Sequence, residues 1–246
     1  MRSLSKIFAV AVMVAVSACG GSSDSGPTPL SKRYDDMYIA QIPLDQKQSV
    51  VTTQNDWSVA KMENAKADAD FNEVTQQLTV VKNDQKAAKL AIDSALSNKK
   101  SAEASNDMNK MNAASRDLKH AELAKKAADA RLKYYEAYRN YLKKQQRYTA
   151  ENMYWREAQY ELAKAQLGKA NNVAPKGVSY DSFPRQETER QKRANTARDK
   201  ANSEKGRAAS AREAWLKQQQ AADQASGTRS DFPDPMGQTA TAGAGS

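Results

Sequence analysis

The sequence predicts an all-α protein: an elongated antiparallel coiled-coil hairpin with a third packed helix, a flexible N-terminal linker and a C-terminal tail. Three observations carry this prediction. Residues 44–167 contain neither Gly nor Pro, the two strongest breakers of a helix interior. Two heptad seams run through that stretch. A cluster of Ser, Asn and Asp interrupts it near its midpoint.

The first arm places Trp57, Ala60, Asn64, Ala67, Phe71, Val74, Leu78, Val81, Gln85, Ala88, Ile92 and Ala95 at alternating steps of three and four. Only a helix puts that spacing on one face, and sustaining it over heptads implies a coiled-coil partner. The second arm repeats the pattern from Leu118 through Tyr135, Leu142, Thr149 and Tyr160 to Leu167. Its seam is interrupted at Lys125, Arg139, Gln146 and Arg156, as the first is at Asn64 and Gln85. Polar residues at seam positions weaken packing but help to set register. The mean hydropathy of −0.84 is low enough to suggest disorder, and it is the periodicity that argues for a folded chain.

The two arms could form one continuous rod or fold back. Ser105-Asn106-Asp107 favours folding back, because these residues cap helices and disfavour their interiors. Charge agrees. Residues 45–107 hold 8 Lys+Arg against 10 Asp+Glu, whereas residues 108–170 hold 14 against 7. An acidic arm therefore faces a basic one.

A second stripe, Tyr134, Tyr138, Tyr141, Gln145, Tyr148, Asn152 and Trp155, runs beside the main seam of the second arm. Two adjacent stripes suit a helix with two neighbours. Gly168 and Asn171-Asn172 mark the end of that arm, and Pro175, Gly177 and Pro184 mark a loop. Helical composition returns over 185–225, with a seam of Ala194, Ala197, Ala201, Glu204, Ala208, Ala211, Trp215, Gln218 and Ala222. Small alanines would let this third helix approach the tyrosine face closely. The aromatic stripe, Tyr134, Tyr138, Tyr141, Tyr148 and Trp155, is thus either core for the third helix or a partner surface, with core the preferred reading. The bundle spans 44–226, and the Gly-, Ala-, Thr- and Pro-rich residues 227–246 read as a disordered tail.

The N-terminus carries the clearest functional signal. Residues 1–6 include Arg2 and Lys6 and no acid, residues 7–16 are all apolar, and Ser17-Ala18 precede Cys19. This is the pattern of an export signal, and about ten apolar residues are too few to span a bilayer. Val16-Ser17-Ala18-Cys19 resembles the lipobox of bacterial lipoproteins. The resemblance implies cleavage before Cys19, lipid on its sulfur and acylation of the new amino terminus, so residues 1–18 would be lost. Gly20, where an Asp would mark inner-membrane retention, implies the outer membrane in a Gram-negative host, facing the periplasm. Residues 19–43 then read as a lipid-anchored linker, Gly/Ser/Pro-rich at first, with Tyr34, Tyr38 and Ile39 offering weak docking contacts.

Cys19 is the one cysteine, so no intrachain disulfide or cysteine metal cluster can form, and no metal or cofactor is expected. Catalytic signatures are missing too. His120, the one histidine, sits beside Lys119 and Glu122 and reads as a solvated surface residue. The chain carries no P-loop, no G-x-S-x-G elbow and no dinucleotide glycine pattern. These features argue against an enzyme. The formal charge of +9 would suit nucleic acid in another compartment. On an exported chain it points instead to anionic lipid, acidic envelope polymers or acidic envelope proteins, and the seams also permit a homo-oligomer. The expected role is a non-enzymatic scaffold or interaction module in the cell envelope. The alternative is a holdase chaperone, because long basic helical arms are similar to the prongs of the periplasmic chaperone Skp. That chaperone also has a small β-body, for which this sequence holds no strand segment.

Overall fold

The computed structural model describes residues 26–173 and 175–237. A short helix α1 (Asp36–Ala40) and a 3-10 turn (Leu44–Lys47) lead into three long helices: α2 (Gln48–Ala104), α3 (Met108–Ala170) and α4 (Ser182–Ser226). No strand occurs among the described residues. The helix α3 lies between α2 and α4 and packs along both, while α2 and α4 barely meet. Among the described residues, no helix is long and apolar enough to cross a membrane.

The hairpin turns where the Ser-Asn-Asp cluster stands. Ser105 Oγ donates to the Ala102 carbonyl, and Asn106 takes a left-handed φ of 51°. Asp107 then caps α3 by accepting from the amides of Asn109 and Lys110. These polar side chains satisfy backbone groups that a helix end leaves orphaned.

Seam residues pair in a single register. Gln85 donates to Asp129 (2.9 Å), Arg139 to Thr75 (3.3 Å) and Gln146 to Asp68 (3.0 Å). In each of these pairs the two residues are equally distant in sequence from Asp107. The Arg139 guanidinium lies 5.3 Å from the centre of the Phe71 ring, as a folded-back arm requires and a continuous rod forbids. Thr149 donates to Asn64 (3.2 Å) and Arg156 reaches Asp56 (3.9 Å). The polar seam residues thus meet partners across the interface, which ties register to hydrogen bonding as well as to apolar burial. Every seam residue expected on the first arm is buried or half-buried.

Three element boundaries differ from the sequence reading. The helix α4 begins at Ser182, three residues early, because Pro184 falls in the first turn, where its missing N–H is harmless. Gly168 lies inside α3 rather than at its end. A Cβ at this position would stand 2.0 Å from the Tyr34 hydroxyl, so glycine is there to admit a ring. The linker also ends earlier than residue 43. Leu30, Tyr34, Ile39 and Ile42 are buried, because the bundle's end offers an apolar socket of Tyr160, Ala163, Leu167 and Phe183.

Candidate functional site

The socket end, here the base, is sealed by polar contacts as well. The Tyr34 amide donates to Glu161 (2.6 Å), and its hydroxyl donates to the Val173 carbonyl. Burial pushes the Tyr34 hydroxyl up to about 12, with the neighbouring Tyr180 adding to the shift. Gln186 of α4 accepts from the Lys32 amide and donates to the Lys32 carbonyl, both at 2.9 Å. Lys164 is 3% exposed and bridges Asp36 and Glu161 at 2.8 Å each. Burial opposes its charge, but the two hydrogen bonds outweigh burial and raise its pKa. Arg33 reaches the buried Glu157 at 2.6 Å. There burial wins over Arg33, and the Glu157 carboxyl is raised. Residues 30–47 are therefore fixed to the bundle. Cys19 itself lies outside the described residues.

The aromatic stripe divides. Tyr134 and Tyr138 are buried, so the partner-surface reading fails for both; Tyr141, Tyr148 and Trp155 are half-buried. The reason is α4. Trp215 stacks on Tyr134 with centroids 5.4 Å apart and planes 8° from parallel. The Trp155 indole N–H donates to Glu187 of α4 at 2.7 Å. Burial raises the pKa of Tyr134, Tyr135 and Tyr138, the last to about 12. None of these hydroxyls is set up as a base.

Residues 228–237, read from sequence as part of a disordered tail, instead fold back over this cluster as a strap. Gly227 reverses the chain at φ 73°. The Tyr135 hydroxyl donates to the Pro233 carbonyl, and the Tyr134 hydroxyl donates to Asp234, both at 2.9 Å. Arg212 meets the other Asp234 oxygen at 2.7 Å through Nε. Burial alone would raise the Asp234 carboxyl, but Arg212, Tyr134 and the Gly237 amide together hold it below the usual carboxylate range. Phe232 lies on the Arg131 guanidinium at 4.1 Å. Residues 238–246 lie outside the described residues.

A cavity of 410 Å³ opens where α4 stops, walled by alanines of α2, α3 and α4. His120 lines it and is half-buried rather than fully solvated. Sequence periodicity could find the seams but not this cavity, which exists only because α4, at 45 residues, is shorter than the 63-residue α3. No family model, curated protein or solved structure matches this chain.

Proposed function

We propose that the chain is a lipid-anchored coiled-coil scaffold or interaction module of the cell envelope, without catalytic activity, that holds a surface at a set distance from the membrane. One observation carries the reading: the base clamp and the hairpin turn lie at opposite ends of the bundle. A chain tethered at Cys19 enters the bundle after about ten residues, at the base. The Asp107 turn then stands away from the membrane by the length of α2, 57 residues, or about 85 Å at 1.5 Å per residue. A short tether and a long rigid rod suit a spacer. In a Gram-negative host the lipobox resemblance and Gly20 support an outer-membrane position facing the periplasm. Burial of Tyr134 and Tyr138 takes two of the five residues out of the aromatic face that a holdase would use, which favours the scaffold reading.

The test is the anchor. Protein from its native host should enter the detergent phase on phase separation, and its N-terminal peptide should begin at a lipid-modified Cys19. Cys19→Ser should remain aqueous and keep residues 1–18. A native chain that starts at Met1 without lipid would sink the proposal.

A further inference from the structure

The aromatic stripe of α3 splits into three parts. Tyr134 and Tyr138 are buried, and the Tyr134 hydroxyl donates to Asp234. At the other end, the Trp155 indole donates to Glu187. Between them, Tyr141, Gln145 and Tyr148 are half-buried and line one cavity of 410 Å³. Their hydroxyls and side-chain amide form no hydrogen bond with any described residue. Steps of four and three put the trio on one face of the helix, with the two tyrosines about 10.5 Å apart along its axis.

The cavity exists because α2 and α4 barely meet across α3, which leaves a cleft with α3 as its floor. Glu63, Lys66 and Asp70 of α2 form one wall, and Lys205 of α4 with Met236 of the strap forms the other. The charges of the walls cancel. Lys66 and Asp70 pair with each other at 2.7 Å. Glu63 and Lys205, both exposed, stand on opposite walls with one charge each. Burial raises the pKa of the Tyr141 hydroxyl, so it keeps its proton at neutral pH and can donate.

We infer that this cleft binds a short neutral oligosaccharide, with sugar faces against Tyr141 and Tyr148 and sugar hydroxyls on Gln145 and Glu63. A sugar ring has an apolar C–H face and a polar edge. Two tyrosines flanking an amide meet both, since a phenol is an apolar plate with a polar tip and an amide both donates and accepts. The two-turn gap between the tyrosines calls for more than one ring. Walls without net charge give an acidic saccharide no attraction over a neutral one. An unfolded apolar segment, the ligand of a holdase, would cover Gln145 and Glu63 without supplying partners, which is costly. The inference deepens the interaction-module reading by naming the class of ligand, and it does not depend on the lipid on Cys19.

The full chain, in a polyoxyethylene detergent that carries no sugar, is titrated calorimetrically with four probes. These are neutral trimers of glucose and of N-acetylglucosamine, both β-1,4-linked, an anionic galacturonate trimer, and reduced, carboxymethylated lactalbumin as an unfolded chain. At least one neutral trimer should bind more tightly than galacturonate, with an affinity that salt leaves unchanged. Gln145→Ala should weaken it by about three- to tenfold, the scale of one neutral hydrogen bond, and Tyr148→Ala by at least as much. Binding should perturb tyrosine absorbance and leave tryptophan emission unchanged, because no tryptophan lines the cleft. Circular dichroism accompanies each variant, and if Tyr148→Ala unfolds, Gln145→Ala and the exposed Glu63→Ala carry the test. Absence of binding by both neutral trimers, galacturonate binding as tight as theirs, or full affinity in Gln145→Ala would overturn the site. Tighter binding of the unfolded lactalbumin, lost in the same variants, would overturn it in favour of a client surface. Because detergent-phase partitioning reads the anchor separately, failure here leaves the anchor test standing, and the converse also holds.

Discussion

The trunk of the molecule and its tip are built from the same two helices and held by different means. In the trunk, α3 is gripped on both sides, and Val74, Leu78, Tyr134, Tyr135, Leu142 and Trp215 close into one cluster under the strap. At the tip, α2 and α3 run on without α4, and the buried seam shrinks to Ala95, Ala102 and Ala114. Leu90 and Met108 stand exposed there, each at 67%. A large buried side chain contributes about 1.5–3 kcal/mol and an alanine far less. The same heptad pattern therefore yields a rigid trunk and a tip that opens more easily.

The largest test of this contrast is truncation. Ending the chain after Asn172 removes α4 and the strap and exposes Tyr134 and Tyr138. Calorimetry should show the melting temperature collapse, and sedimentation should show self-association, since a few lost contacts of this size rival a domain's whole net stability. Replacing residues 93–121 with a short turn should leave the melting temperature nearly unchanged. Equal losses from both deletions would dissolve the distinction between trunk and tip.

A finer test uses single side chains. Trp215→Ala should cost about 3–5 kcal/mol, the range for aromatic truncation in a core. Leu90→Ala at the tip should fall within about 0.5 kcal/mol, as exposed substitutions do. Chemical denaturation measures both, and a Leu90 effect as large as that of Trp215 would place a hidden core at the tip.

The smallest effect is on pH and separates two parts of the trunk. Asp234 has a lowered carboxyl pKa in the folded chain. The stability it contributes is present above the unfolded value of about 3.9 and is lost as pH falls through the folded value. Glu157 has a raised pKa, so acidification through its range strengthens the base instead. Acid below about pH 4 should thus loosen the strap while the base holds. The Trp215 emission should shift below about pH 4, and Asp234→Asn should remove that acid-dependent step.

How much of this was legible in the sequence follows from the range of each contact. The seams repeat locally, so composition and spacing exposed α2, α3 and the Asp107 turn. The third helix showed through its alanines and Trp215. The clamp and the strap did not show. Tyr34 meets Val173 and Glu161, more than 120 residues away, and Asp234 meets Tyr134 at a separation of 100. The strap is also rich in Pro and Asp, which ordinarily signals exposed loop. Gly168 misled for the same reason: a glycine near a helix end resembles a stop, and only the Tyr34 ring shows otherwise.

The symmetry of the hairpin about Asp107 also limits how its length can vary. One residue added to either arm would turn every seam position beyond it by about 100° and separate Gln85 from Asp129 and Thr75 from Arg139. A tolerated change must put seven residues into each arm, equally far from the turn. Each such pair of insertions lengthens the rod by about 10.5 Å. The reach of this protein is therefore a stepped quantity, adjustable by whole heptads and resistant to drift between them.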